Sequence, residues 1–318
     1  MTEVFLLLPE WRRCVASPCV AKGTLSRWSA QGDHGPDVDS GEYEAIRPLI
    51  QWPGPSMPVA ALTRQRDAGD AAGSSWLRAD PAHVRADMAT ARMLAHGQLG
   101  LSQTDCESIA RDLKPLFGDA GYEFDAKLPD RWYVRASPDA RLPAAVPPDE
   151  ALGDDLKLHL PEGADGRQWR QLFNESQIIL HNHPVNARRA RIGVVSVNSL
   201  WFWGGGRLPA WVRSDLQLVI SDRAQLQALA DLASVERIPL ASGIEQVLND
   251  AGGEKGSILI DLFEARGEQL EDQAFAVLDS LLRRGRIGRI QLLFASGERI
   301  QIRAGHRFRF WRRMRELA

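Results

Sequence analysis

Apolar positions along the chain follow two periods, and the two alternate. Val4 to Leu8 is an unbroken apolar run of strand length, and Leu216 to Ile220 and Ser257 to Phe263 are further short buried runs. Between such runs the spacing changes to three and four. Ser102 to Phe117 puts Cys106, Ile109, Ala110, Leu113, Leu116 and Phe117 on one helical face, with Ser102 placed to cap its start. Arg167 to His183 repeats the pattern with Trp169, Leu172, Phe173, Leu180 and His183, and Pro184 ends it. Asp222 to Ala233 turns Leu226, Leu229 and Ala230 inward. Ser242 and Glu245 read as a capping box ahead of Ile244, Val247 and Leu248, and Glu268 to Arg284 reads as a last long helix. Strands are predicted at Tyr122–Phe124 and Arg131–Arg135 and at Val194–Trp203, the last closed by a bend at Gly204-Gly205-Gly206. A hairpin is predicted from Ile290–Phe294 and Arg299–Arg303 across Ser296-Gly297.

Strands alternating with helices predict an α/β fold: a layered mixed sheet with flanking helices and an antiparallel hairpin at the C-terminal edge. Prolines 138, 143, 147 and 148 mark 137–151 as a linker or loop, dividing an N-terminal α/β part, 1–136, from a C-terminal α/β part, 152–318, with a basic end. Ser29 to Gly41 and Gln51 to Pro58 read as loops. The 318 residues are enough to bury a core without staples. Cys14, Cys19 and Cys106 are odd in number and lack metal-ligand spacing, so they read as reduced thiols. The five-residue apolar run near the N-terminus has no basic flank or cleavage site, and no stretch approaches a bilayer span. A cytoplasmic protein without a membrane partner is expected.

Charge adds one asymmetry. Residues 283–318 hold eleven arginines against Glu298 and Glu316, a net +9, which leaves −11 for the other 282 residues. The end Arg307-Phe308-Arg309-Phe310-Trp311-Arg312-Arg313-Met314-Arg315 interleaves aromatics with arginines, which suits stacking on bases and neutralising phosphates. It equally suits a terminal helix whose Phe310, Met314 and Leu317 pack inward. A pI near 6.4 favours the second reading.

The densest polar segment runs from His181 to Arg207. His181, His183, Asn186, Arg189, Asn198, Gly204, Gly205, Gly206 and Arg207 are the candidate ligand residues. Glycines let backbone N–H groups approach an anion, and an arginine pairs a phosphate or carboxylate bidentately. The structural alternative makes His183 a core histidine, Asn186 a turn cap and the glycines a bend. Asp80, His83, Arg85 and Asp87 form a second candidate cluster. Pro81 there predicts a strand running into a turn, with Asp80 as its cap. Gly252-Gly253-Glu254-Lys255-Gly256-Ser257 looks like a phosphate loop but fails the required spacing and precedes its strand.

His183-Pro184-Val185-Asn186, a following arginine, Asn198 and Gly204-Gly205-Gly206 resemble a stretch of archaeal-type cofactor-independent phosphoglycerate mutases. Trp76 to His83, Asn174-Glu175 and Asn198-Ser199-Leu200-Trp201 to Pro209 resemble the RpfE-type regulatory proteins over most of the chain. The mutase resemblance implies two metals, a serine or threonine nucleophile, an early Asp-Gly pair and late Asp-His ligands. This sequence departs from it. The first strand runs into Pro9-Glu10-Trp11-Arg12, Asp33-His34 is the sole Asp-His pair, and His306 is the sole histidine after His183. A regulatory protein without mutase activity is therefore expected, binding a protein partner or a small phosphorylated or carboxylate ligand. No cofactor or metal is evident, and a divalent metal enters only if the chain is a working mutase or phosphoesterase. A nucleic-acid-associated protein is the third reading and the less favoured.

Overall fold

The structure is a computed structural model that describes residues 2–87, 90–250, 256–309 and 311–312. The chain forms two compact units, one from Met1–Ser56 with Ala210–Ala318 and one from Met57–Pro209. The first is therefore discontinuous, and the proline-rich 137–151 stretch lies inside the second rather than between the two.

The first unit is built on a seven-stranded sheet in the order Glu236–Ile238, Leu218–Ile220, Ser257–Asp261, Thr2–Leu8, Ile287–Phe294, Arg299–Ile302 and Asp33–His34. The first five strands are parallel, and the last two add antiparallel. Central parallel strands are covered on both faces, which is why Val4 to Leu8 and Ile258 to Ile260 are continuous apolar runs. Val4, Leu6, Ile258, Ile260, Ile290 and Leu292 pack with Trp28, Phe275, Leu278, Leu281 and Leu282 of the covering helices. The long C-terminal helix is interrupted. It runs Glu268–Leu270, makes a π-helical turn over Glu271–Phe275, and continues as Ala276–Arg283. Gly243, not Ser242, directly precedes the Ile244–Asp250 helix and accepts from Val247 N–H, so the Ser242–Glu245 box is not formed. Ser29 to Gly41 is not all loop, because the Thr24–Gln31 helix and the Asp33–His34 strand enter it.

The second unit is an antiparallel sheet centred on a twelve-residue strand, Ser75–Ala86, which pairs with Ala91–His96, Arg131–Ala136 and Ser199–Arg207; Glu123–Leu128 pairs with Arg131–Ala136. The Gln103–Asp119 helix starts at a capping box. Ser102 Oγ accepts from Asp105 N at 3.1 Å, and the Asp105 carboxylate accepts from Ser102 N at 3.3 Å. Phe117, Phe124, Trp132, Trp169 and Phe202 form an aromatic core with ring centroids 4.7 to 6.1 Å apart.

Three expectations change here. Pro184 opens a helix, Pro184–Arg191, as well as ending one at His181; proline at the first helical position has no N–H to lose. The strand predicted from Val194 begins at Ser199 and runs through all three glycines to Arg207. The strand through Trp76 does not turn at Pro81 but continues to Ala86. No helix among the described residues is long and apolar enough to cross a membrane.

Candidate functional site

The residues singled out between His181 and Arg207 do not converge. His183 caps the second helix, with Nδ1 accepting from Val185 N at 3.2 Å and Nε2 lying 3.3 Å from Asp112 Oδ2. Asn186 Nδ2 donates to the Leu180 and Val197 carbonyls at 2.7 and 2.8 Å, and its Oδ1 accepts from Val197 N at 2.9 Å. Arg189 spends its guanidinium on the carbonyls of Val195, Gly100 and Leu99. All three side chains are buried and saturate backbone groups, so they hold the entry to the next strand. Asn198 continues this work, exchanging two hydrogen bonds of 2.7 Å with the Val84 backbone. His181 is exposed at the end of its helix. Arg207 is exposed at the far end of the nine-residue Ser199–Arg207 strand, about 26 Å of extended chain away.

The glycines serve packing. A Cβ on Gly204, which has φ +64°, would lie 2.9 Å from Val59 Cβ, and one on Gly206 would lie 2.6 Å from Pro58 Cβ. Only backbone without side chains lets the start of the Val59–Ala68 helix approach this strand so closely.

The second cluster also separates. Asp80 does not cap a turn. It is buried, receives Arg78 Nε and Nη2 at 2.8 and 2.9 Å, and accepts from Trp203 Nε1 at 2.7 Å. Burial raises its carboxyl above the ordinary range against the pull of Arg78 and Trp203. Asp80 and His83, three apart on a strand, point to opposite faces. His83 Nδ1 instead lies 2.9 Å from the Ser196 carbonyl, and Arg85 and Asp87 are exposed. Gly252 to Lys255 lie outside the described residues, as do Phe310, Arg313, Met314, Arg315 and Leu317 of the basic end.

A denser polar site lies in the first unit, where the Leu218–Ile220 and Ser257–Asp261 strands end side by side. Ligands of open parallel sheets gather outside such carboxyl ends. Asp261 closes its strand, and Ser221 and Arg223 follow the neighbouring one. Arg223 Nε and Nη2 reach the two Asp261 oxygens at 2.6 and 2.8 Å, its Nη1 donates to Glu42, and Ser221 Oγ donates to Asp261 at 2.6 Å. The Arg223 guanidinium also lies 4.8 Å from the Phe263 ring centroid. Burial opposes the Arg223 charge, but Asp261 and Glu42 outweigh it and push its pKa upward. Burial lifts Glu42 to about 7 against the pull of Arg223, with Asp261 and Glu264 adding to the rise.

Beside this cluster is a cavity of about 390 Å³. Leu240, Ile244, Leu262 and Ala274 give it apolar walls, and Asp222, Glu264, Gln269 and Gln273 bring polar groups. The π-helical turn supplies Gln273 and Ala274; such turns are frequent at functional sites. The volume falls in the range of small-molecule pockets. Sequence reasoning passed over this site. Its signals were the Ser221-Asp222-Arg223 run behind one apolar strand and Asp261 at the end of another, and they become one site only when the strand order is known.

Among the described residues no three His, Cys, Asp or Glu side chains converge in a way that could hold a metal ion. No family model matches the chain. Over 64 residues it is 42% identical to a probable 2,3-bisphosphoglycerate-independent phosphoglycerate mutase of Geobacter sulfurreducens, and 38% identical to such a mutase of Methanosarcina mazei. The chain carries a phosphoglycerate-mutase-like segment. That segment is 20% of this chain and spans 16% of the length of each of these relatives. Among solved structures, the cofactor-independent phosphoglycerate mutase of Thermoplasma acidophilum aligns with a TM-score of 0.44 at 16% identity, over 96% of this chain and 90% of that one. The PH0037 protein of Pyrococcus horikoshii aligns with a TM-score of 0.45 at 11% identity, over 94% and 86%.

Proposed function

We propose that this chain is a cytoplasmic regulatory protein of the RpfE type that keeps a mutase-like segment, lacks mutase activity, and takes a small molecule into the cavity beside Arg223. The observation that carries this reading is the guanidinium between two carboxylates. The mutase resemblance implies divalent cations held by acidic and imidazole groups from several strand ends. Those cations do not fit the residues at this edge. Both Asp261 oxygens are engaged by Arg223, one of them also by Ser221, and Glu42 meets the third guanidinium nitrogen. The Ser221 hydroxyl is buried and committed to Asp261, which leaves it unsuited to act as a nucleophile. Among the described residues, Arg223 is the sole cationic one lining the cavity, and Asp261 and Glu42 already neutralise it, so they offer a phosphate no free positive charge.

A working mutase or phosphoesterase is the second reading, favoured by the 42% identity over 64 residues. A coupled assay on the glycerate phosphates with added manganese, zinc or magnesium, together with metal analysis of the purified chain, separates the two. Absence of turnover with sub-stoichiometric metal is the expected result. Interconversion of the phosphates with bound metal would establish the second reading.

A further inference from the structure

We propose that the arginine-rich edge of the first unit binds single-stranded nucleic acid. Arg27, Arg283, Arg303 and Arg307 line one surface crevice, although they come from three separate stretches of the chain. Asp279 partly neutralises it, meeting Arg27 at 2.8 Å and Arg283 at 2.7 Å. Arg303 and Arg307 are exposed and have no carboxylate partner among the described residues. The crevice has almost no enclosed volume, so a small molecule has nowhere to enter, whereas an extended backbone can lie along it.

Exposed aromatic rings follow these arginines in the chain. Phe308 is 61% exposed and Trp311 is 68% exposed. The Arg307 guanidinium lies 4.7 Å from the Phe308 ring centroid, so a cation and a π face are presented together. Large exposed rings next to free guanidinium groups suit bases that stack and phosphates that pair. An acidic peptide would use the charges and leave the rings idle. The segment is held in place from behind. Asp33 receives Arg309 Nη1 at 2.5 Å and lies 3.3 Å from His306 Nε2, so Arg309 and His306 anchor while Arg303, Arg307 and the rings face outward. This surface is separate from the cavity at Arg223, and its test does not depend on the ligand of that cavity.

The test is fluorescence anisotropy of a labelled oligothymidine with the full chain across a salt series. Single strands give a slope of log affinity against log salt near −0.7 per phosphate contact, so three or four contacts predict about −2 to −3. R303E/R307E should flatten that slope and abolish binding in moderate salt. F308A/W311A should weaken binding at least tenfold and leave the slope unchanged, since stacking is worth that much per base. All four positions are exposed, so the variants should melt with the wild type. No binding at low salt overturns the proposal. So does binding that both double variants retain, or a polyglutamate peptide that competes fully and is itself indifferent to F308A/W311A, which would make this an acidic-protein surface.

Discussion

Replacing Arg223 with methionine removes a buried charge while keeping much of the stem. In the native structure that charge faces Asp261 and Glu42, whose side chains are 3% and 13% exposed. Removing one member of a buried ion pair leaves its partners desolvated and uncompensated, at a cost of about 3–5 kcal/mol. For a unit of this size each kcal/mol moves the melting temperature by roughly 2–4 °C, so R223M should melt about 6–20 °C lower at pH 8. The sign of the pH dependence follows from Glu42. Its folded pKa, about 7, lies above the ordinary value of 4.5, so the folded chain holds this proton more tightly than the unfolded one. That contribution is complete below about pH 4.5 and is lost as the pH rises through 7. Without Arg223 nothing pulls Glu42 down, and its protonated form relieves one of the two stranded charges further up the scale. The R223M deficit should therefore be clearly smaller at pH 5.5 than at pH 8, as read by differential scanning calorimetry. A variant that melts with the wild type at pH 8, or loses the same amount at both pH values, refutes the reasoning.

Other positions give sharper contrasts. Asn186→Ala strands three buried backbone groups and should cost about 2–4 kcal/mol in urea unfolding, against at most about 0.5 kcal/mol for Arg207→Ala on the exposed strand end. Equal costs would mean that Asn186 does not organise the strand entry. Gly204→Ala should cost about 1–3 kcal/mol, because its Cβ meets Val59 and its φ is +64°; a neutral substitution would show that the helix can retreat. Burial pushes the Cys14 thiol up to about 12 and that of Cys106 up to about 11. At pH 8 a chromophoric disulfide reagent should titrate Cys19 rapidly in the native chain and all three thiols after unfolding. Fast reaction of all three in the native chain contradicts the burial.

The sequence shows local physics well and long-range geometry poorly. The apolar run from Val4 to Leu8 reads directly as a strand, and it is unbroken because both of its faces are buried at the centre of the parallel sheet. Ser102 and Asp105 sit three apart and make their capping box without help from the rest of the fold. The His183-Pro184 pair also held a local signal, proline at the first helical position, that the apolar stripe through His183 masked. The three glycines after Trp203 read as a bend because glycine weakens strands. They stay in the strand because the distant Val59–Ala68 helix needs bare backbone to pack on. The Arg223 site was the least legible. Glu42 and Asp261 lie 181 and 38 residues from Arg223, and only the order of strands in the sheet brings them together.

A resident guanidinium stands between the Asp261 and Glu42 carboxylates, and the proposed function rests on its keeping divalent cations out of this strand edge. Anomalous diffraction from crystals soaked in manganese chloride tests it directly. No manganese peak is expected within bonding distance of Asp261 or Glu42, with Arg223 still bridging them. Manganese bonded to either carboxylate, with the Arg223 side chain displaced, would contradict it.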